Sequence, residues 1–135
     1  MSYIQPEHIL IIDDNEINNF IAERLIKRVS KNTRTTICSN GHDALLQLSM
    51  IQEKGGTWPE FIFLDLTMSV MDGWEFLESY KHLNEDQTKK TRIVIVTSSV
   101  FRHDMEKAQE HPVESEYIIK PLTAQRLLKL FATLN

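Results

Sequence analysis

Polar side chains suited to phosphate chemistry follow four separate apolar runs of the sequence. The groups that end these runs are Asp13-Asp14, Asp65, Thr97-Ser98-Ser99 and Lys120-Pro121. Carboxylates about 4 Å apart repel one another by roughly 4 kcal/mol per pair at an effective dielectric constant of about 20. If the three acids meet, they therefore require a cation or raised pKa values. Hard carboxylate oxygens favour Mg²⁺ over zinc.

The same residues meet the requirements of phosphoryl transfer to a carboxylate. Charge in the loose transition state spreads over the equatorial oxygens, so catalysis rests mainly on positioning and charge stabilisation. Asp65 is the candidate nucleophile, because a carboxylate can form an acyl phosphate, and Asp14 is the candidate metal ligand. The Thr97 hydroxyl and the Lys120 ammonium would each contact a phosphoryl oxygen. These roles require that all four runs end at one edge of the fold.

The apolar runs predict strands of a parallel β-sheet. Continuous runs rich in β-branched and aromatic residues are typical of strands buried on both faces. Four runs have this character: Ile9–Ile12, Phe61–Leu64, Ile93–Val96 and Tyr117–Ile119. The shorter and more polar run Arg34–Cys38 predicts an edge strand.

Helical apolar stripes lie between these runs. The stripes predicted to face the core are Ile17, Phe20, Ile21 and Leu25; Ala44, Leu45, Leu48 and Ile51; Phe76, Leu77, Tyr80 and Leu83; and Leu127, Leu128, Phe131 and Leu134. Phe101–Gln109 has the weakest stripe, so we expect it to be the least firmly packed helix. Five strand–helix repeats predict an α/β fold of three layers, with helices on both faces of a parallel sheet. Ligands bind at the carboxyl edge of such a sheet.

Composition and charge narrow the possible functions. The 135 residues predict one domain, 1–135, with no output domain after the last helix. A net charge of −4 disfavours binding to nucleic acid. No apolar run approaches the roughly 20 residues needed to span a membrane, and no secretory signal is recognisable, so we expect a cytoplasmic protein. The five histidines lack metal-ligand spacing and are expected to be surface or capping residues.

Four motifs of the chain resemble those of response regulator receiver domains, and together they cover essentially its whole length. They are Ile11–Asn15, Leu64–Gly73, Val96–Ser98 and Tyr117–Pro121. The resemblance implies a flavodoxin-like (βα)5 fold with the strand order 2-1-3-4-5. It implies that Asp65 is the phosphoacceptor and also belongs to the metal site, that Asp14 binds Mg²⁺ directly, and that Asp13 acts largely through water. The backbone carbonyl of Thr67 corresponds to a third protein ligand of the ion.

The resemblance also implies how such a domain works. Thr97 corresponds to the switch hydroxyl, Tyr117 to the switch aromatic residue, and Lys120 to the lysine of the site, with a cis bond before Pro121. A sensor histidine kinase or a histidine phosphotransfer protein would supply the phosphoryl group, and a protein target that the sequence does not identify would receive the signal. Such a domain is a regulatory phosphoacceptor rather than an enzyme, because it promotes only its own phosphorylation and dephosphorylation.

The sequence departs from the family pattern at three places. Ser69 stands where proline is frequent, and Ser98 stands where a small residue such as alanine is usual. Gln109–Val113 replaces the small residues and glycine often found before the last strand. The last two departures bear on access to Asp65 and on the shape of the face near Tyr117.

Other functions and roles remain open on these residues. A dehalogenase-like phosphohydrolase would need a second aspartate at position 67, where this chain has Thr67. A flavodoxin-like carrier would need a phosphate-binding loop in place of the acidic Asp13–Glu16. An interaction module of receiver shape that works without phosphorylation is a further alternative. Asp13 and Asp14 would alternatively cap the next helix.

Overall fold

Strands and helices alternate along the chain. The computed structural model describes residues 2–83, 88, 90–110 and 115–132. The elements within these ranges are β1 (His8–Ile12), α1 (Glu16–Val29), β2 (Arg34–Cys38), α2 (Gly41–Lys54), β3 (Phe61–Leu64), α3 (Gly73–Tyr80), β4 (Arg92–Thr97), α4 (Arg102–Glu110), β5 (Ser115–Ile119) and α5 (Ala124–Phe131).

The five strands form one parallel sheet in the order β2-β1-β3-β4-β5. The predicted flavodoxin-like topology is therefore confirmed, and Arg34–Cys38 lies at an edge as expected. β2 and β3 coincide with the predicted runs, whereas β1, β4 and β5 extend theirs by one or two residues; β5, for example, begins at Ser115, two residues before Tyr117. Because all five strands point the same way, the residues that follow them share one edge of the sheet.

The core lies in two layers, one on each face of the sheet, because alternate residues of a buried strand point to opposite faces. α1 and α5 cover one face, where the buried residues include Ile9, Ile26, Phe61, Phe63, Leu127, Leu130 and Phe131. α2 and α3 cover the other, where the buried residues include Leu10, Ile12, Leu48, Ile62, Leu64, Phe76, Leu77 and Tyr80. The predicted stripe of α3 is thus confirmed, and that of α2 is confirmed at Ala44, Leu45 and Leu48, whereas Ile51 is half-buried and lies outside this cluster. That of α5 is confirmed at Leu127 and Phe131; Leu128 is half-buried, and Leu134 lies outside the described residues.

The stripe predicted on α1 was wrong in the first turns of the helix. Ile17, Phe20 and Ile21 are 70%, 59% and 45% exposed. Asn19 is the buried residue there, because its side-chain amide donates a hydrogen bond of 2.8 Å to the backbone carbonyl of Asp13 at the end of β1. This contact fixes the rotation of the helix about its axis and turns the three apolar side chains outward.

His8 contradicts the expectation that the histidines are surface or capping residues. It lies in β1 and is only 2% exposed. Its Nδ1 lies 3.0 Å from the carbonyl oxygen of Thr57, and its Nε2 lies 2.8 Å from the hydroxyl of Thr36. Because a carbonyl only accepts, Nδ1 carries the proton and Nε2 accepts from Thr36. Burial lowers the pKa of His8, so the neutral ring is favoured. Of the remaining histidines, His42, His82 and His103 are exposed, and His111 lies outside the described residues.

α4 is the least firmly packed helix, as the sequence predicted. Ala108 is its one buried residue, and Phe101, just before the helix, is exposed. The departure noted at Gln109–Val113 falls mostly on residues outside the described ranges. Across the residues that the structure does describe, no helix combines the length and the apolar character needed to cross a bilayer.

Candidate functional site

Three acidic side chains meet at the carboxyl edge of the sheet. Asp13 follows β1 and Asp65 follows β3, and the backbone N–H of Asp65 donates to the carbonyl of Ile12 at 3.0 Å. One carboxylate oxygen from each of Asp13, Asp14 and Asp65 lies within 4.8 Å of the other two. Asp13 and Asp65 are buried, whereas Asp14 is exposed. The predicted convergence of acids from separate strands is therefore what the fold produces.

Lys120 joins this acidic cluster from the end of β5. Its ammonium donates to Oδ2 of Asp13 at 2.8 Å and to Oδ2 of Asp65 at 3.1 Å. The backbone positions it, because the N–H of Lys120 donates to the carbonyl of Thr97 at 2.8 Å and the following bond to Pro121 is cis. One cation thus bridges two buried carboxylates that follow the neighbouring strands β1 and β3.

The electrostatics of the cluster follow from burial and pairing. Burial acts to lower the pKa of Lys120, but the hydrogen bonds to both carboxylates outweigh it and raise that pKa. Burial raises the pKa of Asp13, and the hydrogen bond from Lys120 offsets only part of this effect. Lys120 is therefore firmly charged, and the cluster keeps an excess of acid over base. This excess is what a divalent cation would neutralise.

Backbone N–H groups of the surrounding loops orient the carboxylates. The N–H of Thr67 donates to Oδ1 of Asp65 at 3.2 Å, and that of Ser69 donates to Oδ2 of Asp14 at 3.3 Å. The alternative that Asp13 or Asp14 caps α1 does not hold. The N-cap is Asn15, whose side chain accepts from the backbone N–H of Asn18. The carboxylates of both aspartates are therefore not used as the helix N-cap and remain part of the acidic cluster.

A glycine brings the β3–α3 loop close to Asp65. A Cβ atom on Gly73 would lie 2.6 Å from the backbone oxygen of Asp65 and 2.9 Å from Cα of Leu66. Asp72 and Glu75 form a capping box that starts α3 at this point. The sequence analysis included Gly73 in the motif Leu64–Gly73 but gave it no role, because nothing in the neighbouring sequence indicates the close contact. Gly73 is therefore a supporting residue of the site that the sequence analysis missed.

Thr97 and Tyr117 lie beside the cluster and are connected to each other through Ser99. Thr97 is fully buried, and its hydroxyl oxygen accepts from the backbone N–H of Ser99 at 3.4 Å. The hydroxyl of Tyr117 donates to the carbonyl oxygen of Ser99 at 3.0 Å. The acids and Lys120 form one contact group, and these two residues form a second group next to it.

The donor set fits a hard divalent cation. Three carboxylates with oxygens within 4.8 Å of one another provide the oxygen ligands that Mg²⁺ prefers. A cavity of about 270 Å³ opens beside them, with Asp13, Asp65 and Lys120 at its polar end and Ile21 and Leu122 among its apolar walls. The site is thus open to a phosphoryl group at one side and bordered by apolar surface at the other.

A parallel sheet in this order with acids, lysine and hydroxyl at its carboxyl edge defines a receiver fold. The chain belongs to the family of response regulator receiver domains, whose family model matches residues 9–132. Domains of this family have a regulatory role in two-component signalling. The resemblance inferred from the four motifs is thereby confirmed at the level of the family.

Individual proteins similar to this chain agree with that assignment. The probable methanogenesis regulatory protein FilR2 of Methanothrix harundinacea is 29% identical over 122 residues, which are 90% of this chain and 77% of that protein. Protein PilG of Pseudomonas aeruginosa is 31% identical over 121 residues, which are 89% of this chain and 81% of that protein. The crystal structure of a two-component response regulator from Cytophaga hutchinsonii matches with a TM-score of 0.84 and 28% identity, covering 95% of this chain and 96% of that one.

Proposed function

We propose that this receiver, 1–135, accepts a phosphoryl group on Asp65 from a sensor histidine kinase or a histidine phosphotransfer protein in a Mg²⁺-dependent reaction. The signal then leaves through altered contacts with a protein target or through onward phosphoryl transfer. One observation carries the proposal: Lys120 bridges Asp13 and Asp65 at 2.8 and 3.1 Å inside an acidic cluster that is open to a cavity.

Each residue of the site would have a separate role in the phosphoryl transfer. A carboxylate oxygen of Asp65 attacks the phosphorus of a phosphohistidine, so that an O–P bond forms, the P–N bond breaks, and its electron pair stays on the imidazole nitrogen. Lys120 would contact a phosphoryl oxygen and offset its charge. Asp14, Asp13, Asp65 and the backbone carbonyl of Thr67 are the groups that would hold Mg²⁺, which supplies further positive charge to the phosphoryl oxygens when bound.

Thr97 and Tyr117 would pass the change on. The phosphoryl group would bring close to two negative charges to the site while Asp65 loses the single charge of its carboxylate, and the new charges would attract the Thr97 hydroxyl away from Ser99 toward a phosphoryl oxygen. The space left by Thr97 would let the ring of Tyr117 move inward. A change at the site thus becomes a change of surface near β5 and α4.

The exposed apolar side chains of α1 support a protein as phosphodonor. Ile17, Phe20 and Ile21 lie on one face of the helix, and Ile21 also lines the cavity beside Asp65. Contiguous exposed apolar side chains mark interaction surfaces, whereas singly scattered ones are ordinary on a protein surface. A donor helix packed on this face would bring a phosphohistidine toward Asp65. We call Ile17, Phe20 and Ile21 the α1 patch.

Intact-mass measurement with a small phosphodonor tests the proposal. With acetyl phosphate and Mg²⁺, the wild type is expected to gain the mass of one phosphoryl group, and EDTA is expected to prevent the gain. Asp65→Asn is expected to gain nothing. Asp43→Asn, which removes a carboxylate from the first turn of α2, is expected to behave like the wild type. An equal gain on Asp65→Asn, or none on the wild type, would count against phosphorylation and favour an interaction module that works without it.

A further inference from the structure

Asp14 differs from the other two acids of the cluster in how it is held. The Lys120 ammonium pairs with Asp13 and Asp65, which are both buried, and among the described residues it makes no ion pair with Asp14. Asp14 is exposed, yet one of its carboxylate oxygens lies within 4.8 Å of an oxygen of each of the other two. Like charges at that distance repel, and an exposed side chain gains rotamer freedom by turning into solvent. Another contact is therefore required to keep Asp14 facing the cluster.

The backbone N–H of Ser69 makes that contact. It donates to Oδ2 of Asp14 at 3.3 Å and so joins the loop after β3 to the loop after β1. Within the part of the chain that the structure describes, no other group donates to this carboxylate, and the Ser69 hydroxyl has no hydrogen-bond partner. The contact therefore depends on the backbone N–H at position 69 and not on the serine side chain.

The loop after β3 orients two of the acids through N–H groups two residues apart. The N–H of Thr67 donates to Oδ1 of Asp65 at 3.2 Å, in the same way as that of Ser69 donates to Asp14. Thr67 also carries the backbone carbonyl that is expected to bind the ion. This single loop would thus place one ligand of its own and orient two others, on opposite sides of the same ion.

The residue type at position 69 decides whether the second of these contacts is possible. Proline has no backbone N–H and could not donate to Asp14. Ser69 stands where proline is frequent in receiver domains. The departure therefore supplies the metal site of this chain with a donor that a chain with proline at this position lacks.

We propose that the backbone N–H of Ser69 is a positioning group of the metal site, which holds Asp14 toward Asp13 and Asp65 so that the ligands are assembled before the ion arrives. The inference rests on the proposed Mg²⁺ site. Hydrogen bonds to metal-binding carboxylates orient them, and their loss typically lowers metal affinity about 10–100-fold. Because the contact is 3.3 Å long and Asp14 is exposed, we expect the lower end, about tenfold.

Calorimetric titration with Mg²⁺ tests the proposal. Ser69→Pro is expected to bind Mg²⁺ about tenfold more weakly than the wild type, whereas Ser69→Ala, which keeps the N–H, is expected to restore normal binding. Val70→Pro is the matched control, because it places a proline in the same loop at an exposed residue whose N–H has no partner among the described residues. Its affinity is expected to equal that of the wild type. No loss in Ser69→Pro, or an equal loss in Ser69→Ala or Val70→Pro, overturns the proposal.

The Mg²⁺ dependence of phosphorylation by acetyl phosphate distinguishes positioning from a distorted loop. Ser69→Pro is expected to need about tenfold more Mg²⁺ for half of its maximal rate and to reach the wild-type rate when Mg²⁺ saturates. In an Asp14→Ala background, Ser69→Pro is expected to cause no further loss of Mg²⁺ affinity, because the acceptor is already gone. A saturated rate that falls by the same tenfold, or a further loss of affinity in that background, overturns the proposal.

Hydrogen exchange provides a test that needs no proline. The Ser69 amide proton is expected to exchange with solvent several-fold faster in Asp14→Ala than in the wild type, because its acceptor is removed. Equal exchange rates overturn the proposal even if Ser69→Pro does not fold. Failure of the wild type to bind Mg²⁺ overturns the proposed metal site together with this inference. Mg²⁺ binding by the wild type, with unchanged affinity in Ser69→Pro, overturns the role of Ser69 alone.

Discussion

Replacing Lys120 with methionine tests the electrostatic basis of the site. Methionine keeps a long unbranched side chain and removes the charge that bridges Asp13 and Asp65 at 2.8 and 3.1 Å. Two carboxylates separated by 4.8 Å or less then repel by about 3.5 kcal/mol or more at an effective dielectric constant of about 20. Removing one partner of a buried ion pair costs about 3–5 kcal/mol. The Lys120 side chain is 18% exposed, so we expect the lower end, about 3 kcal/mol.

The expected loss is large compared with the stability of a domain. Native domains are stable by about 5–15 kcal/mol, so about 3 kcal/mol shifts a urea midpoint by roughly 1–2 M. Urea unfolding at pH 7 in EDTA, followed by tryptophan fluorescence, measures the shift. Lys129→Met, which removes an exposed lysine of α5, is the matched control and is expected to unfold like the wild type. A second replacement, Asp13→Asn in Lys120→Met, is expected to recover part of the loss.

Two further conditions identify repulsion as the cause. Acid pH protonates the carboxylates, so the unfolding curves of Lys120→Met and the wild type are expected to converge there. Added Mg²⁺ is expected to narrow the difference at pH 7, because the acidic cluster without the Lys120 charge binds the ion more tightly, and an ion that binds only the folded state stabilises it. Equal midpoints at pH 7 in EDTA, or a deficit that persists unchanged in acid, would refute the electrostatic reasoning.

Three further predictions concern the supports of the site and its surface. Gly73→Ala is expected to cost about 1–3 kcal/mol and to slow phosphorylation by acetyl phosphate, because the new Cβ would meet the backbone of Asp65; Gly56→Ala, whose nearest side-chain atom is at 3.8 Å, is the control. The pKa of His8 is lowered from 6.5, so its contribution to stability is complete above pH 6.5 and declines as pH falls from there to the folded-state pKa. Thermal melts of the wild type should show this decline, and those of His8→Gln should lack it; parallel pH profiles would contradict it. Phe20→Ser with Ile21→Ser is expected to slow phosphoryl transfer from a phosphorylated histidine protein about tenfold or more. The rate with acetyl phosphate and the melting temperature are expected to stay unchanged. An equal loss with both donors would argue against a docking role.

The strands and the acids of the site could be predicted because their signals are local. A continuous run such as Phe61–Leu64 has the composition of a strand buried on both faces, and the residue that follows it must lie at the edge of the sheet. Parallel strands then bring Asp13, Asp65 and Lys120 together whatever the details of the helices between them. The strand order itself came from the family resemblance, because periodicity does not determine which strands are neighbours.

Contacts between distant segments explain what the sequence did not reveal. His8 is buried because Thr57 and Thr36, far away in the sequence, satisfy both ring nitrogens. Gly73 is required because the chain turns back onto the carbonyl of Asp65. Neither residue differs locally from an ordinary surface histidine or turn glycine. The hydrogen bond from Ser69 to Asp14 is of the same kind, since it joins the loops that follow β3 and β1.

The error on α1 carries the most functional information. Helical spacing correctly identified an apolar face, but spacing does not say whether that face turns toward the sheet or away from it. The hydrogen bond from Asn19 to the carbonyl of Asp13 decided the question and left the α1 patch exposed beside the acidic cluster. Exposed isoleucine and phenylalanine contribute nothing to the core and favour aggregation. A partner that covers them while the phosphoryl group is transferred best explains their place next to Asp65. For this reason Phe20→Ser with Ile21→Ser is expected to slow transfer from a phosphorylated protein and not from acetyl phosphate.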